Sequence, residues 1–173
     1  MNRRWFARAS SVAVVCVVVV AAAVVLGTVS DDAAVDAPRP PAGRADTTAV
    51  TVQPDVVVPY VGAPHRPYNS FPPTSGARVP QTLAPGVYRW PVPPEIQVSV
   101  LRQGDVIVQY SPSLPASAVR LLTEVFRANL RSVLVSPQPL LPAGVALTAW
   151  GRSRRLPTVD AAEIQRFVTA HAR

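Results

Sequence analysis

Lysine is absent from this chain of 173 residues, so all 17 of its basic side chains are arginines. The only cysteine, Cys16, lies inside an apolar run, where it reads as a small apolar side chain. Beyond Ser30 there is no thiol. That excludes disulfides, a thiol nucleophile and cysteine-ligated metal from residues 31–173, whose stability must come from an ordinary apolar core. Histidine occurs only at His65 and His171. No glycine loop suited to phosphate and no pair of carboxylates at a useful spacing is present. The combination of Ser75 or Ser99 with His65 and Asp105 lacks the sharp turn sequence of a nucleophilic serine. His65 reads as a surface residue with no nearby carboxylate, and His171, two residues from the end, as a frayed and solvated one.

What the sequence does have is a long run without charge. Ala9 to Ser30 is almost entirely Val and Ala, preceded by Arg3, Arg4 and Arg8 and followed by Asp31, Asp32 and Asp36. At about 1.5 Å of rise per residue this segment matches the ~30 Å apolar core of a bilayer. The flanking charges place residues 1–8 in the cytoplasm and everything after Ser30 outside. A cleaved secretory signal is the alternative. The run exceeds the usual apolar core of such a signal, and Thr28-Val29-Ser30 is a mediocre cleavage site, so a retained anchor is the favoured reading. The paired arginines also allow twin-arginine export.

Of the formal net charge of +7, only a modest surplus lies in the long stretch after Ser30, where there are 14 Arg against 10 Asp plus Glu. A basic chain raises nucleic-acid binding. For an outward-facing domain the expected counterparts are instead anionic lipid headgroups, acidic wall polymer or an envelope protein. Nucleic acid and cofactors are not expected.

Residues 31–59 read as a disordered Pro/Ala-rich tether, with Pro38-Arg39-Pro40-Pro41 its stiffest piece. Of 20 prolines, 14 fall between residues 38 and 94. Residues 60–94 add aromatic side chains and read as a proline-stiffened wrap on the domain, or else as more linker. Residues 95–173 carry the regular structure. Ile96, Val98 and Val100 alternate as in a half-buried strand, Gly104-Asp105 suits a hairpin turn, and Val106-Ile107-Val108 suits a strand covered on both faces. Pro115 opens a helix to about Arg131 with Val119, Leu122, Phe126 and Leu130 as its buried stripe. Val133–Val135 and Val145–Trp150 follow as strands. Thr158 or Asp160 caps a last helix that buries Ile164, Phe167 and Val168. The expected class is α+β, a small mixed sheet with two packed helices, preceded by the transmembrane helix and the tether.

Three stretches resemble a family of actinobacterial membrane-anchored proteins, the domain-of-unknown-function family 3105. They are Pro72-Pro73-Thr74-Ser75-Gly76 with Pro80, then Gly86-Val87-Tyr88 leading to Val92-Pro93, and Leu147-Thr148-Ala149-Trp150-Gly151. The resemblance covers about residues 60–170 and implies a scaffold built on Pro72, Pro73, Thr74, Ser75, Gly76, Gly86, Tyr88, Trp150 and Gly151. It also implies Pro-His after PPTSG, a cysteine before GVY and a segment HSLEHG, a set suited to a transition metal or acid–base chemistry. This chain has Ala77-Arg78, Pro85 and Ser99-Val100-Leu101-Arg102-Gln103-Gly104 at those places. The expectation is therefore a domain without catalytic or metal-binding residues. If the family positions share one site, Arg78, Arg102 and Gln103 should converge as a basic pocket. Arg152, Arg154 and Arg155, in a loop after the strand ending at Trp150, form a second candidate anion or partner site.

Overall fold

The structure, a computed structural model, describes residues 46–173. The apolar run 9–30 and residues 31–45 lie outside the described residues. Among the described residues, no helix is long and apolar enough to cross a membrane.

The class is mixed α+β, with a large sheet and three helices. In chain order the elements are β1 (Thr48–Ala49), β2 (Val56–Val57), β3 (Ala77–Arg78), β4 (Gly86–Val87), α1 (Pro94–Arg102), β5 (Val106–Tyr110), α2 (Ala116–Ala128), β6 (Val133–Pro137), β7 (Val145–Ala149), β8 (Arg152–Leu156) and α3 (Ala161–His171). Six strands form one sheet in the order β1-β8-β7-β5-β6-β4, and β2 and β3 pair separately. β5 and β6 are parallel, with α2 as the crossover between them, and β7 returns antiparallel to β5.

The side-chain period of two divides β5 between two cores. Val106 and Val108 join Leu122, Val125, Ile164 and Phe167 of α2 and α3 on one face. Ile107 points the other way, into a cluster with Val100 and Leu101 of α1 and Leu134 of β6. That is why Val106-Ile107-Val108 is apolar without alternation. Gln109, Ser136 and Thr148 share the α1 face; their polar atoms are buried without a protein partner, and water is the natural partner for such groups.

Several expectations are corrected. Residues 95–102 form a helix, not a strand. Pro94 sits at its first turn, Glu95 favours its positive end, and Gly104, at φ +90°, ends it in the left-handed conformation that suits glycine. The alternation of Ile96, Val98 and Val100 misleads because α1 is covered on two sides. The intervening polar residues are buried too: Gln97 Nε2 donates to the Val92 carbonyl (2.7 Å) and Ser99 Oγ to the Val79 carbonyl (2.6 Å). Gly104-Asp105 accordingly joins a helix to a strand and is not a hairpin turn. The domain has three helices, not two.

The second helix ends at Ala128, short of Arg131. Asn129 stops it by turning its side-chain amide back to the Val125 carbonyl (2.8 Å) and across to Gln165 Oε1 (2.8 Å). Leu130 then leaves the buried stripe and is exposed. Of the two candidate caps for the last helix, Asp160 is the one used, accepting from the Glu163 N–H at 3.0 Å. Arg152, Arg154 and Arg155 lie in a strand, β8, not in a loop.

The last correction concerns residues 46–59, expected to belong to an extended tether. β1 pairs with β8, and β2 runs parallel to β3. Residues 60–94 are irregular apart from the two-residue strands β3 and β4.

Both early segments meet the β7–β8 turn at Gly151. Its N–H donates to the Thr74 carbonyl (3.1 Å), and its own carbonyl accepts from Val50 (2.9 Å). Gly151 has φ +64°, and a Cβ there would stand 2.9 Å from Val52 Cγ2. Val52 is half exposed and can move aside, so the backbone conformation sets the penalty. Gly151→Ala should lower stability by about 1–2 kcal/mol in urea unfolding. An unchanged midpoint would contradict the role given to this turn.

Candidate functional site

Arg78, in β3, and Arg102, at the end of α1, are 24 positions apart in sequence yet reach the same carboxylate. Asp55, which precedes β2, accepts from Arg78 Nε through Oδ1 at 2.6 Å and from Arg102 Nε through Oδ2 at 3.0 Å. The β2–β3 pairing sets this up, since Val56 lies beside Ala77 and Val57 beside Arg78. The Arg102 guanidinium also stands 5.7 Å from the Trp150 ring. Gln103 donates its backbone N–H to close α1 and takes no part in the ion pairs. Two of the three residues expected to converge therefore do. The carboxylate that joins them comes from the segment read as tether, so no motif announced it. The hydrogen bond from Arg78 is the main influence holding the Asp55 carboxyl below its ordinary 3.8, with burial opposing it and Arg102 adding to it.

Arg152, Arg154 and Arg155 do not form one patch. Strand alternation sends Arg154 to the α3 face, where it pairs with Glu163, which also holds Arg166. Arg155 points to the opposite face and donates to the Phe71 carbonyl at 2.8 Å. Arg152 is exposed on the α3 face, and its charge reaches His171.

His171 is not a frayed side chain. It ends α3 with its ring 4.6 Å from that of Phe167, and burial first, then the Arg152 charge, lower its pKa from 6.5.

His65 is not a plain surface residue either. Its Nδ1 lies 2.7 Å from the Arg66 carbonyl, which can only accept, so Nδ1 carries the proton and Nε2 faces Glu95 Oε1 at 3.6 Å. The two side chains are 15% and 6% exposed. Glu95 Oε1 also accepts from the Gly62 N–H (2.9 Å), while Oε2 is buried without a partner. Tyr68 packs 4.8 Å from the His65 ring and donates to the Ala77 carbonyl (2.8 Å). Burial, and secondarily the Glu95 charge, push its hydroxyl pKa up. His65 lines a cleft of about 170 Å³ with Gln53, Pro54, Val56, Gly76 and Ala77.

A histidine and a buried carboxylate can relay a proton or supply two metal ligands. Among the described residues no three His, Cys, Asp or Glu side chains gather in one place. The pair escapes sequence reasoning because 30 positions separate its members and the alternation of Ile96, Val98 and Val100 reads as a strand.

The scaffold motifs are braces around this region. Thr74 and Ser75 are fully buried, and Ser75 Oγ accepts from the Gln53 N–H (2.9 Å). Pro72 and Pro73 are buried, and Gly76, at φ +115°, lies against the Tyr68 ring. Gly86 belongs to β4, Tyr88 donates its hydroxyl to the Ala84 carbonyl (2.8 Å), and Tyr88 and Trp150 both pack against the core under α1.

The model of the family described as Protein of unknown function (DUF3105) matches residues 65–173, and the chain belongs to that family. No curated protein and no solved structure matches the chain.

Two pH effects follow. Asp55 titrates lower in the folded chain than in the unfolded one, so its contribution is present above pH 3.8 and is lost as pH falls through the lowered value. Asp55→Asn should cost about 1 kcal/mol or less at neutral pH and flatten the acid limb of the stability curve. His171, in contrast to the ionised Asp55, is held neutral by folding, so stability should fall as pH drops below 6.5, and His171→Gln should remove that slope. Urea midpoints measured across pH check both, and a slope that survives the substitution assigns it elsewhere.

Proposed function

We propose that this chain is a single-pass membrane protein whose α+β domain faces outward and serves as a non-catalytic interaction or structural module of the cell envelope. Residues 1–8 are its cytoplasmic end, 9–30 its anchor and the following residues its exported part. The apolar length and flanking charges of the N-terminal run support that placement. One observation carries the non-catalytic reading: Arg78 and Arg102, at positions where the resemblance implies histidine and glutamate, both pair with Asp55. A guanidinium neither ligates a metal nor exchanges a proton near neutral pH. The cluster is thus suited to holding residues 55, 78 and 102 together, and the exposed end of the Arg102 guanidinium, beyond the Nε that meets Asp55, can face an anionic partner such as a lipid headgroup or wall polymer.

A second reading has its own observation. The pair of His65 and Glu95 beside a cleft is the arrangement that an envelope enzyme or metal-handling protein would use. Elemental analysis of the purified full chain separates the two readings. The first expects no stoichiometric metal, and none gained on incubation with Zn²⁺. Retained metal that disappears in His65→Gln or Glu95→Gln would establish the second. Fractionation of a C-terminally tagged chain should leave it with the membranes after a high-salt wash; release into the soluble fraction would show that the anchor is cleaved.

A further inference from the structure

Away from the ion pairs lies a second cleft, of about 330 Å³, walled by Phe71, Pro91, Pro93, Pro94, Pro139 and Leu140. Its rim is apolar and open to solvent, with Phe71 43% and Leu140 76% exposed. Four of its nine lining residues are prolines, whose backbones have fixed φ and no N–H to offer. Such walls lose little freedom when they are covered, which favours a binding partner over a merely tolerated gap. None of the lining side chains is charged, so a phosphate or other free anion finds no partner inside.

Two polar features bound what would fit. Gln97 lies on the floor, 1% exposed. Its Nε2 donates to the Val92 carbonyl, which orients the amide and leaves Oε1 buried without a donor. Beside the cleft, next to its lining residue Phe71, the Arg155 guanidinium stands 5.5 Å from the Phe71 ring and donates to the Phe71 carbonyl. Unlike Arg78, Arg102, Arg154 and Arg166, it has no carboxylate partner among the described residues. An occupant needs an apolar body for the walls and a negative charge for Arg155. It also needs to be a donor rather than a second acceptor at the floor. A polypeptide supplies all three: an apolar side chain, a neighbouring carboxylate and backbone N–H groups.

We propose that this cleft takes an extended segment of a partner protein, with an aromatic or aliphatic side chain seated between Phe71, Pro93 and Leu140 and an adjacent acidic residue paired with Arg155. The assignment rests on the reading of the chain as an interaction module and names the partner chemistry of that module.

The test uses the full chain in phosphatidylcholine nanodiscs and the anisotropy of a fluorescein-labelled peptide, Gly-Ser-Asp-Phe-Ser-Gly. Two further peptides carry Lys in place of Asp, or Ser in place of Phe. The acidic aromatic peptide should half-saturate between about 10 μM and 1 mM, as a small interface allows. Each altered peptide should bind more weakly, by roughly two- to fivefold for the lost surface ion pair and about fivefold or more for the lost seated side chain. Arg155→Glu should weaken the Asp peptide and strengthen the Lys peptide by comparable factors. That gain would also show that the variant is folded. Leu140→Ser should weaken both.

Equal binding of all three peptides, or indifference of the Asp peptide to Arg155→Glu, would overturn the assignment. So would self-association of the chain abolished by Leu140→Ser, which would give the cleft to a second copy. Membrane fractionation reads the envelope placement independently, so failure of the cleft leaves that result standing.

Discussion

Because α1 is covered on two sides, each polar side chain it carries inward needs a hydrogen-bond partner for at least one of its atoms, although Glu95 Oε2 and Gln97 Oε1 are left without one. Its inner face closes on Ile107 and Leu134 of the sheet, while Ile96 packs outward against Val58, Ala63, Ala77 and Val79 of the irregular segments. Ser99 and Gln97 meet the requirement by donating to carbonyls of residues 79 and 92, and Glu95 by accepting from Gly62. These bonds hold a proline-rich stretch with little regular structure in one conformation. The wrap therefore owes its order to the helix beneath it more than to any ladder of its own.

The same constraint explains where the chemistry gathers. A helix buried against irregular backbone brings its polar positions beside residues distant in sequence. Glu95 reaches His65 at one end of α1, and Arg102 reaches Asp55 and Arg78 at the other. One end holds a carboxylate with an unpartnered oxygen and an imidazole; the other holds cations already matched by a carboxylate. A proton relay or a metal could be built only on the first, whereas the second resembles a rivet. The Gly151 turn completes the assembly by tying Val50 and Thr74 to the end of the sheet, which gives the PPTSG and Trp-Gly motifs a mechanical meaning.

The parts of the fold legible in advance were those where one physical signal acted alone. Val106-Ile107-Val108 and Val133–Val135 read as strands because nothing but sheet burial accounts for them. α3 read as a helix because Asp160 and the spacing of Ile164, Phe167 and Val168 agree. α1 failed because its alternation of apolar and short polar residues fits a strand as well as it fits a helix buried all round. The arginines of β8 failed for a related reason. A strand whose two faces each carry charge, one against Glu163 and one against the Phe71 carbonyl, has the composition of a loop.

Local sequence by itself determined the apolar N-terminal run, the absence of thiols and lysine after it, the family, the mixed class, and the strands and helix ends set by proline, glycine and capping residues. These depend on neighbouring residues, whose sterics and hydropathy are legible in order along the chain. Only the tertiary structure decided that Asp55 joins Arg78 to Arg102, that Glu95 lies against His65, and that three nearby arginines part to opposite faces of a sheet. Those pairings cross tens of residues and depend on how α1 and the wrap close over one another, which no local pattern encodes.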